Sequence, residues 1–199
     1  RSPSRGLGDV YKRQMLIRTV RPGLFLALVA LLISTGAQAH VTLEEPAAVA
    51  NTGYKAVFRI THGCEGSPTH TVRVQIPTGF LGTKPIPKSG WKLELQRVKL
   101  AEPYDSHGRK IDETVYEVVW RAQSPETFLA DAHYDEFVLR GQTPDKPGVI
   151  WFKVQQICEK GDLNWAEVPA TGSSTKGLQS PAARLEVLPG MSGGGGHQH

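Results

Sequence analysis

The sequence predicts an all-β protein, an immunoglobulin-like β-sandwich of about seven to nine strands. Three observations predict it. Short runs rich in Val, Ile, Phe, Tyr and Trp recur along residues 40–189, several alternating apolar and polar residues with the period of two that a half-buried strand requires. Turn-forming Pro and Gly fall between the runs, where a proline breaks no sheet ladder. No segment carries the 3.6-residue apolar period of an amphipathic helix. Strands this short at this spacing are the pattern of a sandwich.

The elements follow in chain order. Residues 54–60 put Tyr54, Ala56, Phe58 and Ile60 on one face and Lys55 and Arg59 on the other. Residues 72–76 alternate again and stop at Pro77-Thr78-Gly79. Residues 91–95 form a third strand, with continuation toward Leu100. Residues 115–120 are β-branched and aromatic, residues 136–140 are short and precede Gly141, and residues 149–158 make the longest run. Residues 165–168 and 184–188 are the last two candidates, the former after a Lys160-Gly161-Asp162 turn. Pro46, Pro77, Pro85, Pro87, Pro103, Pro144, Pro147 and Pro169 are expected between strands. Trp91, Trp120 and Trp151 are expected in the core.

Ahead of this domain the chain has the grammar of an export signal. Asp9 to Gln14 reads as the translation of a transposon-end adaptor used in sequencing libraries, so residues 1–14 are expected to be contamination and Met15 the start. From Met15 come Arg18 and Arg21, then ten apolar residues at 24–33, then Ala37-Gln38-Ala39, the small-residue pattern that signal peptidase cuts. Ten residues are too few to span a bilayer, which takes about 20. The expected organisation is therefore a signal peptide at 15–39, a domain at 40–189 and a flexible Gly/His tail at 190–199, in which His197 and His199 either capture metal or are incidental.

Charge excludes one class of partner. Of 23 Lys/Arg and 19 Asp/Glu, six and one lie in residues 1–39, leaving 17 basic and 18 acidic residues behind the cut. A balanced domain without a basic cluster has no footprint for nucleic acid. Cys64 and Cys158 are the only cysteines. In an exported chain a lone pair reads as a disulfide, here joining the first third of the domain to the last. The alternative is a pair of thiolate ligands for Cu(I).

Cutting after Ala39 makes His40 the first residue. A free α-amine and the imidazole Nδ1 of one histidine close a chelate ring on a single metal ion, and two nitrogen donors suit Cu(II). The brace exists only after cleavage, because in the uncut chain His40 has a peptide nitrogen. A stable site needs further donors. Glu44 points to the face of His40 in an extended strand but lies about 13 Å along it. Glu65, Asp135, Glu136 and Glu167 are other candidates, each equally readable as a solvated surface charge. His62, His70, His107 and His133 read as surface or turn histidines. Trp165 either belongs to the core or walls one side of a bound ion and offers a cation–π contact. A phosphate-cradling glycine loop and HExxH are absent from the sequence.

Seven blocks, in order, resemble one family: Ala39-His40-Val41-Thr42-Leu43-Glu44, Tyr54-Lys55-Ala56-Val57-Phe58-Arg59, His62-Gly63-Cys64-Glu65-Gly66, Val72-Arg73-Val74-Gln75-Ile76-Pro77, Lys88-Ser89-Gly90-Trp91, Tyr134-Asp135-Glu136-Phe137-Val138 and Asn164-Trp165-Ala166-Glu167-Val168-Pro169. They are similar to the YcnI-like copper-binding domains. The resemblance implies an exported β-sandwich that holds Cu(II) through a single-histidine brace at His40. It implies a tryptophan near the metal at Trp165, and a carboxylate to which Glu136, then Glu44, then Glu65 are the best matches. It further implies copper buffering or delivery rather than catalysis, in the periplasm, with a copper chaperone or an inner-membrane copper transporter as partner. The competing expectations are a copper oxidase or monooxygenase, which would need a second histidine at the metal, and a metal-free adhesion-type module.

Overall fold

The computed structural model describes residues 40–106 and 108–190. The expectations for residues 1–14, for the signal peptide at 15–39, for His107 and for the tail at 191–199 fall outside the described residues.

Among the described residues, eleven strands form two sheets: β1 Thr42–Leu43, β2 Ala47–Val49, β3 Gly53–Ile60, β4 Thr69–Gln75, β5 Leu81–Pro85, β6 Trp91–Ser106, β7 Arg109–Ala122, β8 Asp135–Gln142, β9 Gly148–Cys158, β10 Asp162–Trp165 and β11 Ala183–Leu188. One sheet runs β1-β3-β8-β5. The other runs β2-β11-β9-β4-β7-β6, with β10 also paired to β9. Every pairing is antiparallel except β2 with β11. The sole helical element among the described residues is a 3-10 turn at Pro125–Thr127. No helix among them is long and apolar enough to cross a membrane.

The sandwich fills as the alternation dictates. Tyr54, Ala56, Phe58 and Ile60 of β3 face inward with Phe137 and Leu139 of β8. From the opposite sheet come Val72, Val74, Val118, Trp120, Phe152, Val154 and Leu185. Aromatic edges lock the sheets together: Phe58 meets Phe152 at 5.4 Å and Trp120 meets Phe137 at 5.6 Å between ring centroids, the offset geometry that adds to simple burial. Trp120 also satisfies its indole N–H on the carbonyl of Ile86 at 3.0 Å.

The structure departs from the sequence reading at several points. Strands β1 and β2 are too short to show a period, and β5, Leu81-Gly82-Thr83-Lys84-Pro85, is poor in the β-branched and aromatic residues that mark a strand. The third and fourth strands are far longer than expected, because β6 and β7 form one hairpin of 16 and 14 residues. Pro103 lies inside β6 rather than between strands; β6 is an edge strand, and its register slips between Lys99 and Tyr104, so no ladder donor is lost where it matters. Pro85 ends β5, also an edge. Strand β8 runs on through Gly141, since the ring of Phe80 occupies the space a side chain would fill there. The expected strand at 165–168 is instead β10 at 162–165. The chain reverses at Gly161, with φ 77°, and Asp162 already pairs with Ile157. Trp151 is half-buried on the outer face; its neighbour Phe152 points into the core.

The cysteines form the expected cross-link, Cys64 to Cys158, with Cα atoms 5.9 Å apart. It fastens the tight turn after β3 to the last residue of β9.

Candidate functional site

Three segments distant in sequence converge at one end of the sandwich. Strand β10 lies against the later half of β9 and ends at Trp165, whose ring turns inward and is 3 % exposed. Strand β1 is the edge of the facing sheet, and His40 is two residues ahead of it. The turn at residues 61–68 leads out of β3. Its backbone is pinned by the disulfide and by buried Gln156, whose amide donates to the carbonyl of His62 at 2.7 Å.

The imidazole of His40 packs edge-on to Trp165, with centroids 5.5 Å apart and planes at 87°. Its Nε2 lies 3.2 Å from the carbonyl oxygen of Gln179. A carbonyl only accepts, so Nε2 is the donor, and in the neutral ring the lone pair is on Nδ1. The indole Nε1 of Trp165 is buried and makes no hydrogen bond to the described residues. His62 approaches the same indole, at 6.5 Å and 80°, and donates its Nδ1–H to the carbonyl of Gly63. The sequence reads His62 as a surface or turn histidine. No spacing signal marks it, because its proximity to Trp165 is a product of the β3 exit meeting β10.

The three matched carboxylates come from three different segments. Glu136, on β8, stands across from Arg59 of β3, which in turn stands across from Thr42 of β1. Two inter-strand steps, about 10 Å, therefore separate the backbones of Glu136 and β1. Glu136 accepts the hydroxyl proton of Tyr134 at 2.6 Å. That bond, more than burial, pushes the Tyr134 phenol up to about 12, and the charge of Glu44 adds to the shift while Arg59 opposes it. Glu65 occupies a left-handed position, φ 51°, in the Cys64–Ser67 turn, beside a hollow it shares with Glu159 and Lys160. The structure brings His40 and Trp165 together and pairs Glu136 with Tyr134. Among the described residues no group of three or more His, Cys, Asp or Glu is placed to hold a metal ion.

Glu167 has a different part. Its carboxylate accepts the backbone N–H of Gln179 at 2.8 Å and of Ser180 at 3.1 Å. Beside His40 is a shallow hollow of about 210 Å³ lined by Thr42, Pro46, Thr175, Pro181 and Arg184 among others. That is below the 300–1,000 Å³ typical of small-molecule pockets.

Comparison with known proteins agrees with the fold. The chain matches a crystal structure of an uncharacterised protein from Nocardia farcinica, described as revealing an immunoglobulin-like fold, with a TM-score of 0.57 and 19 % identity over 74 % of this chain and 97 % of that one. It also matches, at a TM-score of 0.38 and 10 % identity, a putative membrane anchored protein from Corynebacterium diphtheriae, covering 74 % of this chain and 33 % of that one. No curated protein matches the chain. Residues 40–187 match the family described as Domain of unknown function (DUF1775), the domain of the YcnI-like proteins. From its first strand to its last, this chain belongs to the DUF1775 family.

Proposed function

We propose that this domain is an exported copper-binding module that holds Cu(II) on the α-amine and Nδ1 of His40 and serves copper buffering or delivery. The observation that carries the reading is the His40–Gln179 hydrogen bond. It spends Nε2 on a backbone carbonyl and leaves free the one ring nitrogen able to close a chelate with its own α-amine. The edge contact with Trp165 holds the ring in that orientation. The family match beginning at residue 40 agrees with a mature chain that starts there. The Cys64–Cys158 disulfide belongs to an oxidising compartment such as the periplasm.

Trp165 is assigned as the apolar wall beside the ion. Glu136, Glu44 and Glu65 remain, in that order, the proposed carboxylates. Glu136 would first release the Tyr134 hydroxyl, which it accepts at 2.6 Å. A copper chaperone or an inner-membrane copper transporter is the proposed partner.

The test compares Cu(II) binding by a domain beginning at His40 with one carrying a single Gly ahead of it. Tight binding and a nitrogen-rich EPR spectrum only in the first are expected. Equal binding would move the metal to internal or tail histidines, and no binding by either would leave a metal-free adhesion-type module. The second imidazole beside Trp165, His62, favours a copper oxidase or monooxygenase as the second reading. Oxidative turnover with a reductant and peroxide distinguishes it.

A further inference from the structure

We propose that Glu167 is a positioning residue that sets the tautomer and aim of His40 by holding the loop whose carbonyl the imidazole meets. The inference rests on the copper reading only in identifying Nδ1 as the metal-facing nitrogen; the positioning itself needs no metal.

The geometry is a clamp with one free end. The Glu167 carboxylate accepts N–H bonds from Gln179 and Ser180 at 2.8 and 3.1 Å. Its own backbone grips the same segment from the other side. The Glu167 N–H donates to the carbonyl of Ser180 at 3.0 Å, and the Glu167 carbonyl accepts the N–H of Ala182 at 2.8 Å. Four hydrogen bonds thus tie one residue to residues 179–182. The carboxylate bonds are charge-assisted and hence the stronger pair. The amide of Gln179 is occupied by Glu167, and the carbonyl of Gln179 is presented to Nε2 of His40 at 3.2 Å.

That carbonyl fixes which ring nitrogen carries the proton. A histidine without such a partner exchanges between two tautomers, and only the one with hydrogen on Nε2 offers a lone pair at Nδ1. Trp165 lies two residues before Glu167, at the end of β10. The exit of one strand therefore supplies both the surface that orients the ring plane and the carboxylate that secures its hydrogen-bond acceptor. This is the arrangement by which outer partners orient metal-binding histidines, reached here through a backbone loop rather than by direct contact.

The protein expressed from its whole sequence, labelled with 15N-histidine, reports the tautomer by NMR without metal, the His40 signals being assigned by their loss in His40→Gln. In the wild type His40 is expected to hold its proton on Nε2 as a single tautomer. In Glu167→Ala the ring signals average toward both tautomers. Glu167→Gln restores the single form, because its amide oxygen still accepts both N–H bonds. In the form with a free His40 amine, Cu(II) affinity is expected to fall about tenfold in Glu167→Ala and to recover in Glu167→Gln. A wild-type His40 protonated on Nδ1 overturns the proposal without any variant needing to fold, and so does a Glu167→Ala spectrum identical to the wild type. Equal Cu(II) affinity in wild type and Glu167→Ala, together with a tautomer that does not follow Glu167, overturns it with the copper reading left standing. A tautomer that follows Glu167 in a protein that binds no Cu(II) leaves the positioning role intact and removes the copper reading instead.

Discussion

Replacing both cysteines, Cys64→Ala with Cys158→Ala, removes a cross-link between residues 94 apart in sequence. In the chain-entropy description, closing a loop of this length constrains the unfolded state by about 4.7 kcal/mol, and losing a native disulfide from a small domain costs about 2–5 kcal/mol. Alanine is the right replacement. Both sulfurs are buried, at 4 and 3 % residue exposure, and a serine hydroxyl there would add the cost of burying a polar group. The local structure keeps its other ties: Cys64 and Ser67 exchange two backbone hydrogen bonds, and Gln156 still bonds the carbonyl of His62 and the hydroxyl of Thr69. The expected loss is therefore about 3–5 kcal/mol, nearly all of it through the unfolded chain. Urea unfolding followed by tryptophan fluorescence measures it. With a slope of about 2 kcal/mol per molar urea, the midpoint falls by about 2 M. The slope itself rises in the variant, because an uncross-linked unfolded chain exposes more surface. A loss below about 1 kcal/mol with an unchanged slope would refute the reasoning, since it would mean that the cross-link does not constrain the unfolded ensemble.

Trp165→Ala empties a core position that is 3 % exposed and is expected to cost about 3–5 kcal/mol in urea unfolding; Trp165→Phe should recover most of that. Tyr134, with its phenol raised to about 12 by the bond to Glu136, should ionise later than an ordinary tyrosine. Because its folded value lies above its unfolded one, the stability it contributes is complete below pH about 10 and is lost as pH climbs from there toward 12; ultraviolet titration of the wild type against Tyr134→Phe reads the difference. Gly141→Ala would press a methyl group into the Phe80 ring and to 2.8 Å from the carbonyl oxygen of Leu81, at an expected cost of about 1–3 kcal/mol; a thermal midpoint equal to that of the wild type would show that this close approach is not a constraint.

The fold class was legible because a half-buried strand writes its burial directly into local alternation. Tyr54, Ala56, Phe58 and Ile60 face inward as their spacing requires, and the lone pair of cysteines had one partner each to find. Where both faces or neither face of a strand is buried, the alternation fades. Strands β1 and β2 are too short to display it, β5 is poor in strand-forming residues, and the outer part of the β6–β7 hairpin pairs only with itself, so its length did not show in the pattern. Trp151 was misplaced for a related reason: an aromatic residue in a strand states that it packs, not on which side.

The candidate site was legible only in its first half. The sequence by itself determined that His40 follows a cleavage pattern, that its amine and imidazole can chelate, and that Trp165 begins a distinctive block. It could not determine which ring nitrogen would be free. In the structure Nε2 meets a carbonyl 139 residues away, on a loop bonded to Glu167, where the β1 edge meets the end of β10. Nor could it rank His62 above His70 or His133, since only the tertiary structure sets His62 against Trp165. The physical reason is common to both. Periodicity and motif spacing report contacts between near neighbours in the chain, whereas a site assembled from a strand edge, a disulfide-pinned turn and a returning loop depends on how two sheets stack.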